Sequence, residues 1–566
     1  MVSKLFKLLN RDIVSMNQAA LVLAVFSVLS QLFGLLRDRL LASVVGPSAA
    51  LDVYYAAFRI PDFIYNSFGI LFSVTVLIPF ITQFITEEKN TQNGSLKSFL
   101  NSIFTVYTVG MAILCAVLIV AMPWLTKLTA PGFSVAQQSD LVLYARIMLL
   151  SPFLFGLSSL LSSFAQVQKK FFSFAIAPLF YNVGILLGII VLLPRYGVLG
   201  VVLGVVLGAT LQFVIQVPTL VALHKIPRLT SAIDWTVIKR VMKLSLPRTL
   251  GSSLTNITFI VMSAIASYLA VGSISVFQFA YNIENTPLLI IGISYAVAAF
   301  PTMTRLFAEG NKKEFLAVLY RATRTILFLA IPVSLMIIVL RAHIVRILLG
   351  AGVFSWGDTR LVAACVALFS ISVAAQCIVL LFVRAFFATG DTRTPLKINS
   401  IAVLITIVSS VALLLVYTHN LFFQNFLNHL LRVEGVEGTT IILLPLGFSI
   451  GQITNALLLW RGFHKTFHGT KVENAVFGRT LLHMLAAGII AATASYGTLL
   501  FSGGGVKQTT FFAIFAQAVV AGGVGVVAYA ITLIALKNED IYVFLDTIRS
   551  KFWKQKPVVV PGQQEL

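Results

Sequence analysis

Two apolar stretches of this 566-residue chain carry charge where charge is least tolerated: Gly34-Leu-Leu-Arg37-Asp38-Arg39-Leu-Leu41 and Leu51-Asp52-Val-Tyr-Tyr-Ala-Ala-Phe-Arg59-Ile-Pro-Asp62. An ionisable side chain away from water must pair or bind a ligand, so it marks a candidate site. Arginine there offers a permanently protonated planar fork suited to phosphate, which makes Arg37 and Arg59 the first candidates for an anionic headgroup. Asn66 follows them, and a second set of polar groups, Arg248, Asn256, Asn282, Glu284 and Asn285, interrupts a later pair of apolar runs. Each has a plainer use. Arg37 or Arg39 can pair with Asp38 or Asp52 in a charge network, and Asp52, just after Ser48-Ala-Ala, can cap a helix at the membrane face. For Glu284 three uses are open: pairing with Arg59, carrying a coupling cation or proton, or serving in an inert buried pair. His343 and His483 read as packed or interfacial residues.

The elements that hold these residues are membrane helices. With 58% hydrophobic residues, 11% charged and a mean hydropathy of +0.94, the chain is far more apolar than a soluble domain, where roughly 45–50% apolar and 25% charged is usual. Runs long enough to cross a bilayer, about 20 residues, occur at 18–45, 52–86, 98–126, 139–167, 171–193, 197–223, 244–271, 273–304, 316–341, 361–388, 396–418, 439–460, 480–502 and 509–536. The expected fold is an all-α polytopic membrane protein of about fourteen transmembrane helices.

The net charge of +21 does not call for nucleic acid. Basic residues gather in alternate connections, such as Lys97, Lys169-Lys170, Lys312-Lys313, Arg393-Lys397 and Lys465-Lys471, while the others hold few. By the positive-inside rule this puts both termini in the cytoplasm. The first apolar run is too long for a signal-peptide core and ends in charges, so it reads as a retained helix. Residues 1–12 are expected to form an interfacial helix or a frayed end. Cys115, Cys365 and Cys377 all lie in apolar runs without metal-ligand spacing.

Asp52–Gly69 aligns with Ser275–Gly292 at an offset of 223, and Lys97-Ser-Phe-Leu100 and Phe133-Ser134 resemble Lys313-Glu-Phe-Leu316 and Phe354-Ser355. Repeats spanning an even number of helices share one orientation, which predicts two six-helix lobes in a parallel pseudo-twofold repeat with two added C-terminal helices. The expected divisions are an N-terminal lobe at 1–223, a C-terminal lobe at 224–470, two further helices at 471–536, and a basic cytoplasmic tail at 537–566. A cavity between such lobes would open alternately to either side. No phosphate-cradling loop or metal-ligand cluster is present in the sequence. The chain therefore reads as a transporter without a cofactor, driven by membrane potential, a cation gradient or passive exchange, and not as an enzyme.

The opening pattern resembles that of the MurJ (MviN) family of lipid II flippases. So do Thr129-Ala-Pro-Gly-Phe133, Gln166-Val-Gln-Lys-Lys170 with Pro178, and Asp391-Thr-Arg-Thr-Pro395-Leu-Lys397. The resemblance implies a multidrug/oligosaccharidyl-lipid/polysaccharide exporter fold in a bacterial cytoplasmic membrane. It also implies flipping of lipid-linked peptidoglycan precursor to the outer leaflet, with the undecaprenyl tail in a groove of the last two helices. Membrane lipids and cell-wall synthesis or division proteins are its implied partners. The sequence departs from the family at Gln31, Tyr65 and Tyr281-Asn282, where basic residues or an Asp-Arg pair are usual, and near Ile70-Leu71, where an acidic residue is common. Another polyprenyl-linked glycan as cargo, or a non-transporting interaction protein, are the alternatives these departures raise.

Overall fold

The computed structural model describes residues 16–69, 74–91, 96–222, 227–467, 471–503 and 510–552. They are all-α. The helices of nine or more residues are α1 (Met16–Val44), α2 (Ala49–Ala57), α3 (Arg59–Ser67), α4 (Val74–Thr91), α5 (Leu96–Thr129), α6 (Val135–Met148), α7 (Leu150–Val167), α8 (Phe171–Leu187), α9 (Val198–Val214), α10 (Trp235–Ala266) and α11 (Ser273–Pro287). Then follow α12 (Ser294–Ala308), α13 (Lys312–Leu349), α14 (Trp356–Ser370), α15 (Val373–Ala388), α16 (Arg393–His419), α17 (Leu421–Leu431), α18 (Leu443–Phe467), α19 (Lys471–Gly503), α20 (Phe511–Ala535) and α21 (Glu539–Phe552).

Every apolar run read from the sequence is helical over most of its described residues. Ten helices are long and apolar enough to cross a membrane, and α14–α15, bent by 44° at Ile371-Ser372, makes an eleventh candidate span among the described residues. The other three runs are the first, the second and the seventh. The first lies in α1, which carries Arg37-Asp38-Arg39 near its end, the second is divided into α2, α3 and α4, and the seventh lies in α10. The division of the second has local causes. Ser48 caps α2 by accepting from the Leu51 amide at 3.3 Å, and α3 restarts at Arg59 with Pro61 in its first turn, where a missing N–H costs nothing. The eighth run breaks similarly: α11 ends at Pro287, a π-helical turn spans Leu288–Ile293, and α12 resumes.

The chain forms two compact units. The first comprises Met1–Tyr281, Leu348–Cys365 and Thr392–Gly451. Within it α8 and α9 meet through glycines. A Cβ on Gly188, the first residue of the π-helical turn Gly188–Leu192 that continues α8, would stand 2.6 Å from Gly204 Cα, so only glycine permits this separation. Such small-residue faces are how membrane helices pack where lipid tails are as apolar as leucine. Gly447 and Gly451 of this unit seat α18 against Ser410 and Thr406 of α16 in the same manner.

The second unit comprises Asn282–Ile347, Val366–Asp391 and Gln452–Leu566. Its core joins Phe328 and Ile331 of α13 to Met484, Ala487 and Ala491 of α19 and to Tyr529 and Leu533 of α20. The Tyr529 hydroxyl donates to Phe328 O at 2.9 Å. Arg324 ties α21 down through Asp540 at 3.1 Å and Glu539 at 3.2 Å.

Candidate polar sites within the membrane helices

In the first unit, the last turns of α1 bring Arg37 and Asp38 together. Both Nη2 and Nε of Arg37 reach Asp38 Oδ1, at 2.8 and 2.9 Å, so this arginine has a carboxylate partner. This is one of the pairings expected from the sequence. Arg39 directs Nη1 toward Leu348 O at 3.5 Å.

Asp52 does not cap its own helix, a place Ser48 takes. Its carboxylate receives the Gly272 amide at 2.7 Å and both the amide and hydroxyl of Ser275 at 2.7 and 2.6 Å. It thus caps α11, where free N–H groups and the helix dipole favour negative charge. Gly272, with φ +89°, makes the turn into that helix. Asp52 and Ser275 are the very positions that the internal alignment pairs, 223 residues apart.

Nearby contacts are reciprocal in the same sense. The Val353 amide donates to Ser43 O at 2.9 Å beside Gly352, and the Gly132 amide donates to Ser267 Oγ at 3.0 Å. Ser43 and Ser267 end α1 and the α10 region, and Gly132 and Gly352 sit in corresponding connections. A Cβ on either glycine would collide with the facing serine backbone.

Arg59 is 8% exposed. Its Nη2 donates to Gln278 at 3.1 Å, and its guanidinium lies over the Phe259 ring at 5.6 Å. Its Nε is buried without a hydrogen-bond acceptor, and the Asp62 carboxylate one turn further along acts on its charge. On the same helix the Asp62 side chain is exposed, while Asn66 donates to Asp62 O at 2.9 Å and to Asn256 at 3.3 Å. Ser67 and Ser253 share a 2.8 Å contact. The Arg248 side chain lies outside the described residues.

In the second unit Asn282 and Asn285 are half-buried. Glu284 is fully buried, and its Oε1 accepts from Gln376 at 2.6 Å. Sequence reading did not single out Gln278, Phe259, Gln376 or Ser372. Two of these, Gln278 and Gln376, carried a usable signal, an amide inside an apolar run, the same cue that raised Asn256. It likewise passed over Gln216, whose Oε1 accepts from Ser162 at 2.7 Å, and Asn182, which donates to Ser30 O at 3.2 Å.

A sequence model described as "Lipid II flippase MurJ" matches residues 41–522. A probable lipid II flippase MurJ of Rhizobium tropici is 28% identical over 404 residues, 68% of this chain and 73% of that protein. The lipid II flippase MurJ of Burkholderia cenocepacia is 24% identical over 457 residues, 79% and 84% of the two chains. Among solved structures, a lipid II flippase MurJ in an inward closed conformation superposes with a TM-score of 0.71 over 94% of this chain and all of its own, at 20% identity. An inward-facing MATE multidrug transporter of the MOP superfamily gives 0.61 over 78% and 96%, at 13% identity. At such identities the structural likeness establishes the fold.

Proposed function

Since the chain belongs to the lipid II flippase MurJ family, we propose that it carries lipid II from the inner to the outer leaflet of a bacterial cytoplasmic membrane. It does so by alternating access, as a transporter and not as an enzyme. The observation that carries the substrate chemistry is Arg59. A buried guanidinium with an unbonded Nε, its charge offset by the exposed Asp62 one turn further along the same helix, has capacity left for an anion, and the pyrophosphate of a polyprenyl-linked glycan is such an anion. Arg37, screened by Asp38, is the accessory contact that exchanges its carboxylate for phosphate when substrate enters. Both termini face the cytoplasm, the repeat forms the two moving lobes, and residues 471–536 receive the undecaprenyl tail.

The test is complementation of a strain depleted of its own flippase, with movement of lipid II followed in reconstituted vesicles. Arg59→Ala is expected to abolish both at unchanged protein abundance. Arg59→Lys, which keeps the charge and loses the fork, is expected to leave about a tenth of the activity, or roughly 1.4 kcal/mol. Growth and flipping that survive Arg59→Ala overturn the role of Arg59. Vesicles in which the unaltered chain moves no lipid II favour the second reading, a non-transporting interaction protein, which the uncharged Tyr281 and Asn282 and the neutralised Arg37 support.

A further inference from the structure

Glu284 is a carboxyl group at two helix breaks. It lies one turn before Pro287, where α11 gives way to the π-helical turn Leu288–Ile293. Its partner Gln376 lies one turn after the 44° bend between α14 and α15. One amide nitrogen of Gln376 donates to Glu284 Oε1 at 2.6 Å and to Ser372 Oγ, at the bend itself, at 3.0 Å. The two irregular helices also touch directly, for a Cβ on Gly292 would stand 3.1 Å from Cys377 Cα. The second carboxyl oxygen, Oε2, is buried and has no hydrogen-bond partner among the described residues.

That half-satisfied state discriminates between charge forms. An ionised carboxylate at zero exposure with one hydrogen bond is costly, because nothing replaces the water it has lost. A neutral acid with its proton on Oε2 leaves Oε1 free to accept from Gln376 and buries no charge. Among the described residues no cation pairs with it. The Cys377 thiol is within electrostatic reach on α15, and the one cation further along that helix, Arg384, turns its Nη1 to Ile293 O at 3.4 Å.

We propose that Glu284 is a proton-binding site, loaded on Oε2 while the Glu284–Gln376 contact is closed and unloaded when the two helix breaks part and admit water. On unloading, the Oε2–H bond breaks, the proton passes to water, and the electron pair stays on the carboxylate. Broken membrane helices at a polar site are where transporters place their coupling ions. The use of this proton in coupling rests on the transport reading above, whereas the existence of the site does not.

The infrared carbonyl stretch of protonated carboxyl groups tests it in the full chain reconstituted in lipid. A band present at neutral pH, lost at alkaline pH, unaffected by sodium ions and missing from Glu284→Gln is the expected result. Absence of any such Glu284-dependent band, or its removal by sodium ions at constant pH, overturns the proposal, the latter in favour of a cation site. Glu284→Gln mimics the loaded acid and preserves the shape, so thermal stability near that of the parent shows that the spectrum reports on a folded protein. In lipid II vesicles, an imposed proton gradient is then expected to change the flipping rate of the parent and to leave that of Glu284→Gln unchanged. A parent that binds the proton but moves no lipid contradicts the flippase reading alone, and a parent that flips without the band contradicts this one alone.

Discussion

Asp52 shows what single residues do here beyond the substrate. Its three accepted hydrogen bonds join the start of the second apolar run to the start of the eighth, and two of the donors are backbone amides with no other partner in a helix's first turn. Asp52→Ala strands these donors and is expected to cost about 2–4 kcal/mol, read as a lowered unfolding midpoint of the solubilised protein. Asp52→Asn keeps one accepting oxygen and should fall between the two; equal stability of Asp52→Ala and the parent would show that the bonds are replaced by water. The charged residues were legible because they stand in apolar sequence. Their partners were not, since a contact over 223 positions leaves no mark in the local pattern. Thus Asp52 was expected to cap at the membrane face and does cap, but a different helix from its own.

At the scale of elements, the approach of α8 to α9 rests on side chains that are missing. Gly204→Val introduces atoms where the facing Gly188 Cα already lies within 2.6 Å of a Cβ position. It should force the helices apart and cost upwards of about 2 kcal/mol, seen as reduced yield of folded protein. Gly523→Ala in α20 is the matched control. Nothing lies within 4 Å of its Cβ position, and alanine is the better helix former by about 1 kcal/mol, so stability should hold or rise. Apolar run length gave the helices directly. It did not give their breaks, because Phe58 and Ile371-Ser372 look like ordinary residues of a span, and only Pro287 announced the irregular turn that follows it.

At the scale of the molecule, the alternating basic connections predict a topology that the helices alone leave open. Reporter fusions after Lys97, Lys170 and Lys313 should be cytoplasmic and those near Gly132 and Gly504 external; two inverted signals among these five would reject the fourteen-span arrangement. The sequence offset of 223 pairs Asp52 with Ser275, and these two residues touch in the first unit. Ser43 meets the Gly352 connection as Ser267 meets the Gly132 connection, and Asp52 and Ser275 make a third contact. A fastening made of two matched catches and a pin has little use for a half-released state. When one catch lets go, the other still holds its serine at bonding distance, and freeing the pin alone leaves both engaged. Release then comes as one event, and a pair of substitutions, one in each catch, should loosen this end by more than the sum of their separate effects.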